Sequence, residues 1–348
     1  MKRILLATLT FFVLLTVARG GKPNQVVVPT DASLRAAVEK SLPLLVAGAR
    51  GSREKRAQCF TCHSQGLTML ALSAAKAHGF KIDEEELGRQ VKFTVDFLAT
   101  NQKQYLVGKG QGGQIDTAGY ALWALDAAGC KPDATTGAVA EYFLRWQSEL
   151  DYWKPTNRRP PTQQSLFTSS YLALYGLKVF GTPEQKERRE QRFAQVRTWL
   201  LKTPAQDTED RVFRLRALQV VDAPDMELRK AAQELAQKQK PDGGWAQLET
   251  METDVYATAT ALVALNEAGG LATTEAAYQK GVRYLLEKQL PDGSWHVVTR
   301  SVPIQTYFES GYPHGKDQFV SVSAAAWATI ALARALPATN RPQERGRL

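Results

Sequence analysis

Apolar residues divide the chain into two alternating kinds of segment. Six segments share a small residue and a Leu flanked by further small or apolar residues, which predicts buried helices. They are Thr68–Ala77, Ala118–Gly129, Ser169–Gly181, Val212–Val221, Ala257–Gly269 and Val322–Leu336. Six further segments carry apolar residues at helical spacing on one side only, which predicts amphipathic helices. They are Asp31–Val46, Glu84–Thr100, Thr136–Leu150, Pro183–Lys202, Asp225–Gln239 and Thr274–Leu290.

Glycines mark the ends of the predicted buried helices. Gly79, Gly129, Gly181 and Gly269 each stand where a helix commonly ends in a left-handed residue. Strand-like alternation is confined to the short run Gln25–Val28. Alternating buried and amphipathic helices joined by short loops predict an all-α fold, an α/α toroid of six inner and six outer helices. An open solenoid of helical hairpins is the alternative architecture.

Two turns near the C-terminus have almost the same sequence. One runs from Gln289 to Trp295 (QLPDGSW), and the other from Gln239 to Trp245 (QKPDGGW). A Gln amide can satisfy free backbone groups at a helix end while the Trp indole packs over the turn. The longer string K-G-x-x-Y-L-x-x-x-Q-x-x-x-G-x-W, which ends at Trp295, resembles the Gln-Trp motif of the squalene-hopene cyclase and terpenoid cyclase family. Those enzymes share their toroid with the protein prenyltransferases, so the resemblance implies a closed ring over residues 31–337.

The two ends of the chain differ from this repeat. Residues 1–20 have a basic start and the uncharged apolar run Ile4–Ala18, which predicts a signal peptide and a secreted or periplasmic protein. An uncleaved membrane anchor is the alternative. Residues 21–30 are predicted to be a short extended lead-in, and residues 338–348 a basic tail. The net charge of +9 is spread over outer helices without clustered aromatics, which argues against nucleic-acid binding and leaves at most peripheral membrane contact.

The segment Cys59-Phe-Thr-Cys62-His63 is the sharpest chemical motif. Its C-x-x-C-H spacing is that of c-type haem attachment, in which two thiols form thioethers and the adjacent His binds the iron. A zinc site with both thiolates, His63 and a fourth ligand is a second interpretation. A Cys59–Cys62 disulfide in an oxidising compartment is a third. The resemblance to prenyltransferases adds support for zinc, since those enzymes hold a catalytic zinc at the cavity rim, although their later Asp, Cys and His ligands are not reproduced here.

A further ligand for iron or zinc is expected from a long loop. His314 leads because the loop Val298–Gln318 precedes the sixth inner helix, which would neighbour the first inner helix in a closed ring. Other candidates are His296, Met69 and Met251. A second long loop, Tyr152–Gln164, is rich in proline. Loops of this length in compact domains are usually functional or disordered.

Asp116 and Asp254 stand at the starts of two inner helices. The resemblance to class II terpenoid cyclases implies an acid role here, because their D-x-D-D-T-A string supplies a carboxylic acid that protonates an alkene or epoxide. The chain has GQIDTA and ETDVYA instead, without the central pair of aspartates. Helix capping is the simpler interpretation of both residues. Aromatic residues that could stabilise a cation also fall on inner helices, namely Tyr120, Trp123, Tyr171, Tyr175, Tyr256 and Trp327.

Three functions remain compatible with the sequence. The first is a covalent haem carrier for electron transfer or sensing, with an exported redox partner. The second is an enzyme for an apolar isoprenoid-like substrate, with Asp254 or Asp116 as acid and an optional metal at Cys62 and His63. The third is a non-catalytic toroid that binds an apolar small molecule or a protein. Whether the chain is an enzyme stays open at this point.

Overall fold

The computed structural model describes residues 29–303 and 306–337 of the chain. The predicted signal peptide, the basic tail and nearly all of the lead-in lie outside these residues. The described α-helices are α1 Asp31–Lys55, α2 Leu67–Ala77, α3 Glu84–Thr100, α4 Gln102–Leu106, α5 Gln114–Ala127, α6 Ala134–Arg145, α7 Leu166–Phe180, α8 Lys186–Lys202, α9 Thr208–Val220, α10 Asp225–Ala236, α11 Val255–Glu267, α12 Ala276–Lys288 and α13 Gln318–Ala335. None of these is long and apolar enough to cross a membrane.

Six of these helices form a closed inner ring. Neighbours pack in the order α2, α5, α7, α9, α11 and α13, and α13 returns to α2. The outer helices α1, α3, α6, α8, α10 and α12 cover this ring. A buried hydrogen bond of 2.7 Å between Ser41 Oγ and Thr329 Oγ1 joins the first helix to the last. The predicted α/α toroid is therefore confirmed, and the open solenoid is excluded.

Burial follows the two hydrophobic patterns of the sequence. In α11, every residue from Val255 to Leu265 is buried, as expected for a helix that is apolar on all sides. In α8, only Arg192, Val196 and Leu200 are buried, so one stripe of this helix faces the ring. The main departures from the predicted elements are the extension of α1 to Lys55, the additional short helix α4 and the early end of α6.

The Gln-Trp turns tie consecutive hairpins together. Gln289 Nε2 donates to Gly293 O at 3.0 Å within its own turn and to Ala37 O of α1 at 2.8 Å. The Trp295 indole donates to Leu285 O at 2.8 Å. The predicted role of the Gln amide is thus observed at the turn carbonyl of Gly293, and the Trp295 side chain is fully buried.

The other Gln-Trp turn, one hairpin earlier, repeats this arrangement. Gln239 Nε2 donates to Gly243 O and to Ala277 O of α12, each at 2.8 Å. The Trp245 indole donates to Leu235 O at 2.9 Å. Each motif Gln therefore joins its own turn to the next outer helix.

Candidate functional site at the mouth of the toroid

Two long loops cover the mouth, which is the end of the toroid where the inner helices begin. Arg159 and Gln163 exchange backbone hydrogen bonds of 3.1 and 2.9 Å, which folds the proline-rich loop back on itself. Ser301 Oγ from the second loop donates to Pro160 O at 2.7 Å. The two long loops therefore contact each other at the mouth.

A cavity of about 330 Å³ lies beneath these loops, a size typical of small-molecule sites. Its lining is mostly apolar, with a few polar groups and two basic side chains. The described lining residues are His63, Arg159, Pro160, Pro161, Thr162, Thr299, Ser301, Val302, Pro303, Thr306, Tyr307, Lys316, Phe319, Val320 and Ser323. No Asp or Glu is among these described residues.

His63 brings the Cys-x-x-Cys-His motif to this cavity. It lies in a π-helical turn, Cys62–Gly66, and its ring contacts Phe319 edge-on at 5.1 Å. Its Nε2 is buried and has no hydrogen-bond partner among the described residues. Burial and, to a smaller extent, the charges of Arg159 and Arg56 together lower the pKa of His63 to about 3. The imidazole is therefore neutral at physiological pH, the form that binds metal ions.

The two motif cysteines lie beside the cavity and are not among its lining residues. Cys59 is half-buried, and its thiol donates to Phe60 O at 3.6 Å. Cys62 is buried and accepts a 3.4 Å hydrogen bond from Gln163 Nε2. Burial raises the pKa of the Cys62 thiol to about 12, against a smaller lowering by Arg159. Both cysteines are free thiols in this structure.

His314 has partners of its own in the second loop. Its Nε2 lies 2.9 Å from Ser294 Oγ, and its ring stacks on His296 at 4.7 Å. His296 in turn lies 2.7 Å from Asp317 Oδ2. Within residues 29–303 and 306–337, no three His, Cys, Asp or Glu side chains are grouped to hold a metal ion. The structure thus does not assemble His314 with the motif residues into such a group.

The other candidate iron ligands lie on different elements. Met69 is buried on α2, where its sulfur accepts a 3.7 Å hydrogen bond from Thr94 Oγ1 of α3. Met251 is half-buried in the turn that precedes α11. Neither side chain lines the cavity beside His63.

Asp254 caps α11, as the simpler interpretation predicted. Its Oδ1 accepts the Ala257 backbone N–H at 3.0 Å, whereas its Oδ2 is buried without a partner among the described residues. Burial raises the pKa of Asp254 to about 6.

Asp116 is a fully buried acid in the first turn of α5. Ser169 Oγ donates to its Oδ1 at 2.5 Å, and within the described part of the chain its Oδ2 has no partner. Burial raises the pKa of Asp116 to about 7, against a lowering by the Ser169 hydrogen bond. Near neutral pH this carboxyl can hold or release a proton.

Glu209 is a second interior acid, which sequence analysis did not identify. Thr168 Oγ1 donates to one carboxylate oxygen at 2.9 Å, and Tyr256 OH donates to the other at 3.0 Å. Burial raises its pKa well above the ordinary value. Glu209 follows the cap Asp207 of α9, so in sequence it resembles a common first-turn carboxylate, and no pattern distinguishes it.

An arginine fills the aromatic cluster inside the ring. The Arg216 guanidinium lies 5.4 Å from the Trp123 ring, 5.7 Å from Tyr171 and 5.4 Å from Trp327. It also forms a 2.8 Å ion pair with Glu267. Three of the six aromatic residues predicted as possible cation stabilisers therefore contact a cation of the protein itself.

Sequence similarity covers the C-terminal part of the chain. Residues 184–347 match the family model of the squalene-hopene cyclase C-terminal domain, which confirms the resemblance first seen in the Gln-Trp turns. The match does not include the Cys-x-x-Cys-His motif, which lies upstream. No curated protein is significantly similar to the chain.

Solved structures share the fold over most of the chain. The type II terpene cyclase MstE from Scytonema, without ligand, has a TM-score of 0.55 at 14% identity and covers 88% of this chain and 99% of its own. A protein from Actinoplanes has a TM-score of 0.54 at 17% identity, with coverage of 87% and 99%. A variant of the Scytonema enzyme in complex with geranylgeranyl dihydroxybenzoate has a TM-score of 0.50 at 14% identity, with coverage of 88% and 100%. At these identities the similarity establishes the toroid fold alone.

Proposed function

We propose that this squalene-cyclase-like toroid binds haem in the mouth cavity, where His63 would hold the iron and Cys59 and Cys62 would be the attachment points. The observation that carries the proposal is the neutral His63 imidazole, whose buried Nε2 has no partner among the described residues and which lines a cavity of about 330 Å³. Imidazole nitrogen is a common axial ligand of haem iron.

The surroundings of His63 fit this group in part. Phe319 and Val320 supply apolar contacts for a porphyrin, and the His63 ring packs against Phe319. The Cys62 thiol is hydrogen-bonded by Gln163, so attachment requires that this bond be released and that the cysteines turn toward the cavity. Each thioether would form by addition of a thiol S–H across a vinyl C=C, which needs no oxidant. Attachment outside the cytoplasm agrees with the predicted signal peptide.

Bound haem would supply an iron that carries one electron or binds a small gas molecule. The chain's own part would be to hold a neutral imidazole against Phe319 in a cavity beneath the two contacting loops. These roles support electron transfer or sensing as the biological function, with an exported redox partner in the first case.

A pyridine haemochrome spectrum tests the proposal. The chain is produced in the periplasm together with the haem maturation machinery, beside a Cys59→Ser/Cys62→Ser variant. We expect a c-type spectrum that survives acidic solvent extraction in the wild-type protein and is lost in the variant. Helical circular dichroism without any Soret absorbance in the wild-type protein would reject the haem assignment.

Acid-dependent chemistry on an apolar isoprenoid-like compound is the second candidate. It is favoured by Asp116, a buried carboxyl with a pKa of about 7 and a partnerless Oδ2 within the described residues. It is opposed by Arg216, which occupies the aromatic cluster that would otherwise face a substrate cation. Incubation with geranylgeraniol, followed by mass spectrometry, compares the wild-type protein with Asp116→Asn. Turnover that Asp116→Asn abolishes supports this candidate, and no turnover by the wild-type protein removes it.

A further inference from the structure

The charged residues that line the mouth cavity are basic in the described part of the chain. Arg159 from the first loop and Lys316 from the second line it, whereas no described lining residue is acidic. Neither basic side chain forms an ion pair with a carboxylate among residues 29–303 and 306–337. Both cations therefore line the cavity without a carboxylate partner among the described residues.

Arg159 is held in place at the cavity. Its backbone pairs with Gln163 in both directions, and its Nη1 lies 3.5 Å from Gln163 Oε1. Arg159 lines the same cavity as His63, and its partner Gln163 donates a hydrogen bond to Cys62 Sγ at 3.4 Å. A guanidinium presents a planar set of donors that matches a carboxylate.

The apolar part of the cavity wall favours a ligand with an apolar body over a small hydrophilic anion. Pro160, Pro161, Val302, Phe319 and Val320 present apolar surface to the same space. A fully apolar ligand would cover the half-buried Arg159 without supplying a hydrogen-bond acceptor, which is costly. The lining is thus complementary to a molecule with an apolar body and an anionic end.

We infer that the cavity selects an amphipathic carboxylate, whose acid group is bound by Arg159 and Lys316 while its apolar body lies against the proline-rich loop and α13. The inference rests on the cavity used in the proposed function, and it deepens that proposal by assigning the carboxylate end. Haem, through its propionates, and a free long-chain acid share this chemistry.

Titration of the full mature chain with matched acids and esters tests the inference. The probes are hemin and its dimethyl ester, and palmitate and methyl palmitate. Each is titrated into the wild-type protein, Arg159→Gln/Lys316→Gln and the control Arg158→Gln, which changes an exposed neighbour in the same loop that does not line the cavity. We expect at least one acid to bind the wild-type protein about tenfold tighter than its ester, a difference of about 1.4 kcal/mol. The double variant should lose this preference, and Arg158→Gln should keep it.

The outcomes separate this inference from the haem proposal. Equal binding of acid and ester by the wild-type protein, or equal weakening of both by the double variant, would overturn the inference. Hemin binding that His63→Ala abolishes, without any charge preference, leaves the haem proposal standing and rejects the carboxylate subsite. Charge-dependent palmitate binding without hemin binding supports the subsite and assigns it to a free acid, whereas the haem proposal is rejected by the haemochrome test. Failure of all four probes to bind overturns both.

Discussion

Burial shifts the pKa values of individual ionisable side chains in this protein. His63 is kept neutral and Asp116 is kept protonated to near neutral pH by the same cause, the loss of water around a charged form. The sequence could place both residues at helix starts near the mouth. It could not show the burial or the Ser169 partner of Asp116, because that serine comes from the next inner helix.

Asp116 should make stability depend on pH. Its folded pKa of about 7 lies above the ordinary value of 3.8, so its contribution is fully present below about pH 4 and is lost as the pH rises to about 7. Between these pH values Asp116 should make the free energy of unfolding fall by up to about 1.4 kcal/mol per pH unit. Asp116→Asn should remove this contribution. Urea unfolding at several pH values measures the effect, with the exposed Asp96→Asn as control. Identical slopes for the wild-type protein and Asp116→Asn would refute this role of burial.

Site residues whose contacts are close in sequence could be predicted, whereas those with distant partners could not. Capping by Asp254 is local and was foreseen. The contact of His314 with Ser294 depends on the folding of a long loop, and no periodic pattern indicates it. Glu209 was missed because its partners Thr168 and Tyr256 lie on two other inner helices.

At the scale of the element, the Gln-Trp turn acts as a connector between hairpins. The motif Gln donates once within its own turn and once to the next outer helix. The sequence spacing predicted the first bond, whereas the second required the ring geometry. The two turns make the same pair of bonds, which accounts for their similar sequences in successive hairpins.

Loss of the motif amide should weaken the joint between α12 and α1. Gln289→Ala leaves the Ala37 and Gly293 carbonyls without this donor, and we expect a loss of about 1–2 kcal/mol in the free energy of unfolding. Gln239→Ala should behave in the same way at the preceding joint. Chemical denaturation measures these changes, with the exposed Gln237→Ala as control. A Gln289→Ala protein as stable as the control would show that the amide bonds do not hold the hairpins together.

The whole molecule is a ring that closes around an internal cation. Its closure could be predicted because the same two-helix pattern recurs along the chain and the motif resembles a known toroid family. The contact of the two loops through Ser301 and Pro160 could not, since it joins residues 141 positions apart across the mouth. The cavity that carries the proposed function is thus a product of the closed ring.

Arg216 should be one of the most sensitive positions of the ring. It joins α9 to the aromatic residues of α5, α7 and α13 and to Glu267 of α11. Arg216→Ala removes these contacts and should cost about 3–5 kcal/mol. Arg334→Ala, which removes the other ion-pair partner of Glu267, should cost less because Arg334 is more exposed. Thermal unfolding compares the stabilities of the two variants. An Arg216→Ala protein as stable as the wild-type protein would contradict a stabilising role of Arg216 in the aromatic cluster.

Location of iron in crystals of the exported, haem-matured protein tests the central claim most directly. Anomalous diffraction at the iron edge identifies iron and gives its position in the crystal. The account predicts one peak in the mouth cavity, within coordination distance of His63 Nε2 and below the contact between Ser301 and Pro160. An iron peak elsewhere on the molecule, or the absence of iron from correctly folded toroids, would contradict it.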